Sequence, residues 1–142
     1  MNKRLLLPLL SLFILSSCSL TEEPETSTFS PSLIQSLNLK LSKQFEIDFQ
    51  ETHLVELLNG INLEELKNGK EYEKEFLFED FECDCFDKIK ISYSNQDGRF
   101  NLWVYEEFFE EGLDWCPESS YSYSFKIDNN KIVDLQLDYM AG

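Results

Sequence analysis

Apolar residues recur at helical spacing in the first half of this chain and at strand spacing in the second. Ser30-Pro31 reads as a helix start, with Ser able to cap and Pro suited to the first turn. Leu33, Ile34, Leu37 and Leu41 then keep to one helical face. A second helix is punctuated by a capping box at Asp48 and Glu51 and by a stop at Gly60. Phe49, His53, Leu54, Leu57 and Leu58 mark its apolar face. A short third helix runs from Asn62, with Glu65 three residues on, to Gly69.

From Tyr72 the period changes to two. Tyr72 to Phe81 predicts one strand, and Phe86–Ser94 and Arg99–Glu107 predict two more. Asp97-Gly98 between the last two is a two-residue hairpin signal. A turn centred there sets Tyr93 opposite Leu102 and Ile91 opposite Val104. A last hairpin joins Tyr121–Ile127 to Lys131–Tyr139 across Asp128-Asn129-Asn130. A three-residue loop would pair Phe125 with Val133, Tyr123 with Leu135 and Tyr121 with Leu137, whereas a two-residue loop would set Phe125 against Asp134. The apolar pattern therefore favours the longer loop, with Tyr93, Leu102, Val104, Phe125, Val133 and Leu135 on the buried face. Ser122, Ser124, Asp134, Gln136 and Asp138 fall on the wet face.

One dry and one wet sheet face is what helices on a single side require. The expected architecture is an α+β domain with N-terminal helices packed on a four- or five-stranded antiparallel β-meander. The element order resembles cystatin-like or nuclear-transport-factor-2-like folds, in which a curved sheet wraps a helix. That likeness carries no motif and implies no function. Trp103 and Tyr105 fall on the wet face with Lys88, Lys90 and Ser92. Aromatics on a polar sheet face are candidates for a binding surface, and Lys beside Trp suits a cation–π contact. The competing expectation is that a loop or the Tyr72 strand covers them.

The N-terminus carries a different pattern. Lys3 and Arg4 precede the apolar run Leu5–Leu15, which closes on Leu15-Ser16-Ser17-Cys18. The run is too short for a membrane span and Pro8 interrupts it. This order resembles a bacterial lipoprotein signal peptide. The resemblance implies cleavage before Cys18, acylation of that cysteine with palmitate-type chains, and durable attachment to a membrane of the cell envelope. Residues 1–17 are then the signal peptide, 18–31 a lipidated flexible tether, and 32–142 a single domain. The tether is acidic and contains Pro. Glu22, Glu23 and Glu25 resemble the acidic run that some Gram-negative bacteria use to display outer-membrane lipoproteins, and equally fit an acidic linker without an address.

Charge narrows the partners. The chain holds 27 acidic and 12 basic residues, a formal charge of −15, and loss of Lys3 and Arg4 would take it to −17. Nucleic acid and anionic lipid surfaces are disfavoured, and basic proteins, polyamines or divalent cations are favoured. Solubility alone accounts for such a charge as well.

Three cysteines follow Cys18. Cys83 and Cys85 sit on one side of an extended strand with Cα atoms about 6.6 Å apart, at the long end for a bridge. An oxidising compartment would pair one of them with Cys116, with Cys85 the nearer in the hairpin ladder. The pairing would need Gly112 to turn the chain back. Cys83, Cys85, Cys116 and His53 also sum to four zinc ligands, though at no recognised spacing. C-x-C is a poor match to a thiol-exchange motif. His53 reads more simply as a structural residue of the helix. Acidic clusters at Glu79–Asp87 and Glu106–Asp114 would approach one another across a bridge to Cys116, and calcium could relieve them, yet no EF-hand loop is present. The acids are too many to nominate a glycosidase pair. No G-x-S-x-G, phosphate loop, H-E-x-x-H or cofactor motif occurs.

Three functional classes follow. The first is a non-enzymatic, membrane-anchored module that binds another protein. The second is an inhibitor or immunity-type lipoprotein against a basic target. The third is a small enzyme with a pocket inside the curved sheet, which a shifted carboxylate beside His53 in a deep cavity would support.

Overall fold

The computed structural model describes residues 27–45, 51–78 and 84–142. Three helices precede five strands: α1 (Pro31–Phe45), α2 (Glu51–Leu58), α3 (Leu63–Lys67), β1 (Tyr72–Leu77), β2 (Phe86–Ser94), β3 (Arg99–Glu107), β4 (Glu118–Asp128) and β5 (Lys131–Ala141). The strands form one open antiparallel sheet in the order β1-β2-β3-β4-β5. Each strand pairs with its neighbour in sequence, so the chain is a helical segment followed by a meander, an α+β arrangement.

The helix starts follow their local chemistry. The Ser30 hydroxyl accepts from the Leu33 N–H at 3.3 Å. Asn62 caps α3 by accepting from the Glu64 and Glu65 N–H groups. Asp48 and Phe49, the expected cap and first apolar residue of α2, lie outside the described residues. Leu54, Leu57 and Leu58 of α2 are buried as its apolar face requires. No helix among the described residues is long and apolar enough to cross a membrane.

The helices cover one sheet face only. Leu33, Ile34, Leu37 and Leu41 of α1 meet Ile89, Ile91, Leu102, Val104, Tyr123 and Phe125 of the sheet in one core. Each such side chain contributes roughly 1.5–3 kcal/mol on burial. The core begins before α1: Phe29 is 1% exposed and sets its ring edge-on to Phe100 and Phe125, at 6.0 and 6.4 Å. The backbone ties it there through Phe29 N–H to the Ile61 carbonyl at 2.9 Å. Thr28 also bridges Asn62. Polar composition up to Pro31 therefore hides an anchor residue inside the expected tether.

Two registers differ from the sequence expectation. In the first hairpin Ile91 faces Leu102, Ile89 faces Val104 and Tyr93 faces Phe100. The turn spans four residues, 95–98, rather than two, closed by Gly98 N–H to the Ser94 carbonyl at 2.9 Å. Gly98 takes φ +68, which favours glycine. The slip is two residues, so every side chain keeps its face. In the last hairpin the turn is the two-residue one: Asn129 and Asn130 take φ +46 and +57, and Asp128 pairs with Lys131. Phe125 does not meet Val133, and Val133 pairs with Lys126 on the wet side. Two extra β5 residues restore the phase, one at Asp134 (φ +51) and one at Asp138. Tyr123 consequently faces Leu137 and Tyr121 faces Met140. Ile132 takes the buried place expected for Val133, while Leu135 stays buried.

Arg99 fastens this bulge. Its guanidinium is buried, donates to the Ser124 hydroxyl at 2.9 Å and the Ser124 carbonyl at 3.1 Å, and reaches both the carboxylate and the carbonyl of Asp134. The hydrogen bond from Arg99 holds the Asp134 carboxyl below its ordinary range. One side chain from β3 thus sets the path of β5 across β4.

Candidate functional site

The sheet face away from the helices, which no element among the described residues covers, carries Trp103, Tyr105, Lys88 and Lys90. Alternation along β2 and β3 sends Ile89, Ile91, Leu102 and Val104 inward and Lys88, Lys90, Trp103 and Tyr105 outward. Lys90 pairs with Trp103, and Lys88 with Tyr105, in direct cross-strand register. The two aromatic rings stack with centroids 5.9 Å apart and planes 24° apart. On β4 the facing residues are Ser120 and Ser122, whose small side chains leave the rings a free flank. Trp103 borders a shallow, open depression with Glu73, Lys88, Lys90, Ser92, Asn101 and Ser122. Trp103 and Tyr105 are half-buried, so β1 flanks them without covering them.

The lysines are occupied. Lys88 lies 3.0 Å from Glu75 and 3.4 Å from Glu73, and Lys90 lies 2.6 Å from Glu71. The cation–π contacts fall elsewhere: Lys70 sits over Tyr72 at 4.6 Å and Lys74 over Phe76 at 5.4 Å. The Tyr105 hydroxyl lies 2.6 Å from a Glu118 carboxylate oxygen and 2.8 Å from one of Glu107, with its single proton to share between them. These bonds, the one to Glu118 foremost, hold its ionisation well above the usual range. Counting Glu71, Glu73, Glu75, Glu107 and Glu118 against two lysines, the face is net acidic.

At one end of the sheet a disulfide joins Cys85 to Cys116, with Cα atoms 5.9 Å apart and a sequence separation of 31. Gly112 at φ +92 turns the chain, as the pairing needs. Cys83 lies outside the described residues, as does Cys18. Bridging takes Cys85 and Cys116 out of the four-ligand zinc set, because their sulfurs are bonded to each other. The Glu107 carboxylate lies within 4.8 Å of both sulfurs but accepts from the Phe86 N–H and the Tyr105 hydroxyl. Of the acidic cluster at 79–87, Glu79, Asp80 and Glu82 are outside the described residues, Asp84 is exposed and Asp87 is buried.

The bridge pins the loop between β3 and β4. Phe108 N–H bonds to the Pro117 carbonyl at 2.8 Å, and between them Phe108, Phe109 and Trp115 stand exposed among Glu110, Glu111 and Asp114. The string F-F-E-E-G-L-D-W-C, apolar at both ends and without a basic residue, was the available signal.

A polar group interrupts the inner face near the same end. Asp87 shares the face of Ile89 and lies 3.5 Å from Nδ1 of His53, whose ring stacks on Phe76 at 3.9 Å. Burial pushes the Asp87 carboxyl up to about 6, opposed by a backbone N–H from Glu107. Burial also lowers His53, with Lys74 adding to the effect and Glu56 opposing it. Glu106 is raised by burial and then by the Asp87 charge. The Tyr123 hydroxyl is buried without a hydrogen-bond partner among the described residues. Asp87 and His53 could exchange a proton near neutral pH, but none of the described depressions is lined by them.

Asp87 gives a pH signature. Its folded carboxyl binds a proton more tightly than the unfolded one, so its stabilising contribution is complete below pH 3.8 and is lost as pH rises to about 6. His53 acts oppositely: it adds stability above its unfolded value of 6.5, lost as pH falls through its lowered folded value. Asp87→Asn should therefore stabilise the fold at pH 8, on the order of 1–2 kcal/mol. Urea titrations at two pH values would check it, and an Asn variant less stable at pH 8 would contradict it.

No known family, curated protein or solved structure matches this chain.

Proposed function

We propose that the protein is a lipid-anchored module of the bacterial cell envelope that binds another protein and carries out no chemistry. The observation that carries the reading is the one-sided sheet: helices seal one face, and the other presents Trp103 and Tyr105 on a rigid, net acidic platform. An aromatic pair held flat beside small serines offers contact area at little entropic cost. The acidic surroundings favour a basic partner, which is also the chemistry of an inhibitor or immunity-type role. The helix-then-meander order supports a cystatin-like or nuclear-transport-factor-2-like arrangement for the domain. Signal residues 1–17, the lipobox and the acidic tether support delivery to the envelope, at the outer membrane in a Gram-negative cell.

Cys18→Ala should give an unlipidated precursor that takes up no labelled palmitate. In the lipidated protein, a photo-crosslinking residue at position 103 should capture a discrete envelope protein with a basic surface, and one at Leu39 on α1 should not. Normal labelling of the Cys18 variant would remove the anchoring. Equal capture from both positions would remove the open face as the binding surface.

A further inference from the structure

We propose that the disulfide-pinned loop Phe108–Pro117 is a second docking surface, and that its occupant is a cationic amphipathic segment, one that sets Lys or Arg beside apolar side chains. The inference rests on the binding-module reading but places contact on a different surface from Trp103.

Three observations meet in this loop. The first is exposed apolar area: Trp115 is 57% exposed, Phe108 47% and Phe109 39%. Clustered exposed aromatics mark interaction sites, and Trp is the residue most enriched at binding hot spots. The second is charge. Glu110, Glu111 and Asp114 stand among the rings, and no Lys, Arg or His occurs from Phe100 to Phe125. The lysines of the open face lie on β2 and are paired with Glu71, Glu73 and Glu75, whereas the 108–117 segment carries no basic residue of its own. A bound cation would therefore meet carboxylates with no local basic residue competing for them.

The third is rigidity. The Cys85–Cys116 bond, the Phe108–Pro117 backbone bond and the Leu113 N–H to Glu110 carbonyl bond at 3.2 Å fix the loop before anything binds. Pre-ordering removes an entropic cost that a free loop would meet on association. The other occupants fit less well. A second copy would bring the same acids face to face, and an anionic lipid surface would repel them. A segment with cations flanking an apolar ridge satisfies both halves of the pattern.

The test uses the mature lipidated protein in neutral detergent. The probe is a synthetic helical peptide of Lys–Leu heptads, with an analogue carrying Gln for every Lys. The cationic peptide should bind and the analogue should not. Affinity should fall about tenfold or more between roughly 50 and 500 mM salt, as exposed charges are screened. Trp115→Ala should weaken binding by about tenfold or more, as loss of an interface tryptophan does. Combined Glu110→Lys, Glu111→Lys and Asp114→Lys should abolish it, and Leu39→Ser on α1 should leave it intact. All these positions are exposed, so unchanged thermal melting separates lost binding from lost folding. Equal binding of the Gln analogue, or full affinity in both loop variants, would overturn the proposal. Loss of binding in Trp103→Ala but not in Trp115→Ala would also overturn it, while leaving the open-face reading standing. Preference for phosphatidylcholine vesicles over the peptide would replace the occupant with a membrane and overturn it as well.

Discussion

Replacing Cys85 and Cys116 together by Ala should lower the stability of the fold by about 3–4 kcal/mol, the chain-entropy value for a closed loop of about 30 residues. The bond spans 31 residues and ties the start of β2 to the segment entering β4, so the unfolded chain loses much of its freedom when it is intact. Cys85 is fully buried, and Ala there also leaves the volume of one sulfur to be refilled. Urea titration should show a lower midpoint for the double variant, and wild type in excess reductant should shift the same way. The loss should concentrate at one end: amides of Phe108 and Leu113 should exchange early, while those of the Ile91–Leu102 pair should keep their protection. An unchanged midpoint would mean that the loop is held by its packing alone.

Arg99→Leu should be comparably damaging, at about 3 kcal/mol or more, because its removal leaves the buried Ser124 hydroxyl and carbonyl without their donors. Leu restores apolar contact but none of these bonds. The exposed carboxylate of Asp134 can turn to water, so the carboxylate itself accounts for little of the loss. The backbone of Asp134 accounts for more, since its left-handed conformation is held by the guanidinium on its carbonyl. Asp134→Gly should cost stability alone, because it leaves the buried guanidinium without its carboxylate, yet recover part of the Arg99→Leu loss, where no charge needs a partner and Gly adopts positive φ freely. A double-mutant cycle by chemical denaturation measures this coupling. Strict additivity would show that Arg99 and the bulge act independently.

Which side chains face inward was legible from alternation, because a strand has only two faces and a slip of two residues preserves them. The first hairpin shows this: Asp97-Gly98 suggested a shorter turn, yet Leu102 and Val104 stayed buried. The second hairpin shows the limit of the same reasoning. Pairing rules assume an unbroken strand, and the apolar positions of β5 could be matched either by a longer turn or by bulges. What decided between them was the tolerance of Asn129, Asn130 and Asp134 for positive φ, together with an arginine 35 residues before the bulge. Nothing in the spacing singles out Arg99, because its partners are close only after β4 and β5 have formed. The lysines beside Trp103 were placed correctly, but their engagement by Glu71, Glu73 and Glu75 depends on β1 lying antiparallel to β2, which spacing alone does not fix. Phe29 was missed because a single aromatic in a polar stretch has no period to read.

The irregular course of β5 bears on how copies behave when they are crowded. An open sheet ends in strands whose outward amides are unpaired, and a flat margin of 11 residues invites the next molecule to continue the ladder. Here the margin is broken twice, and each break carries an aspartate, Asp134 and Asp138. Leu137 stands exposed between them, and Tyr139 and Met140 just beyond, apolar enough to adhere. A strand arriving from a neighbour would meet two interruptions in hydrogen-bond spacing and two negative charges within five residues. The irregularity that keeps Phe125 and Leu135 inside thus also denies this edge of the sheet a template for fibre growth.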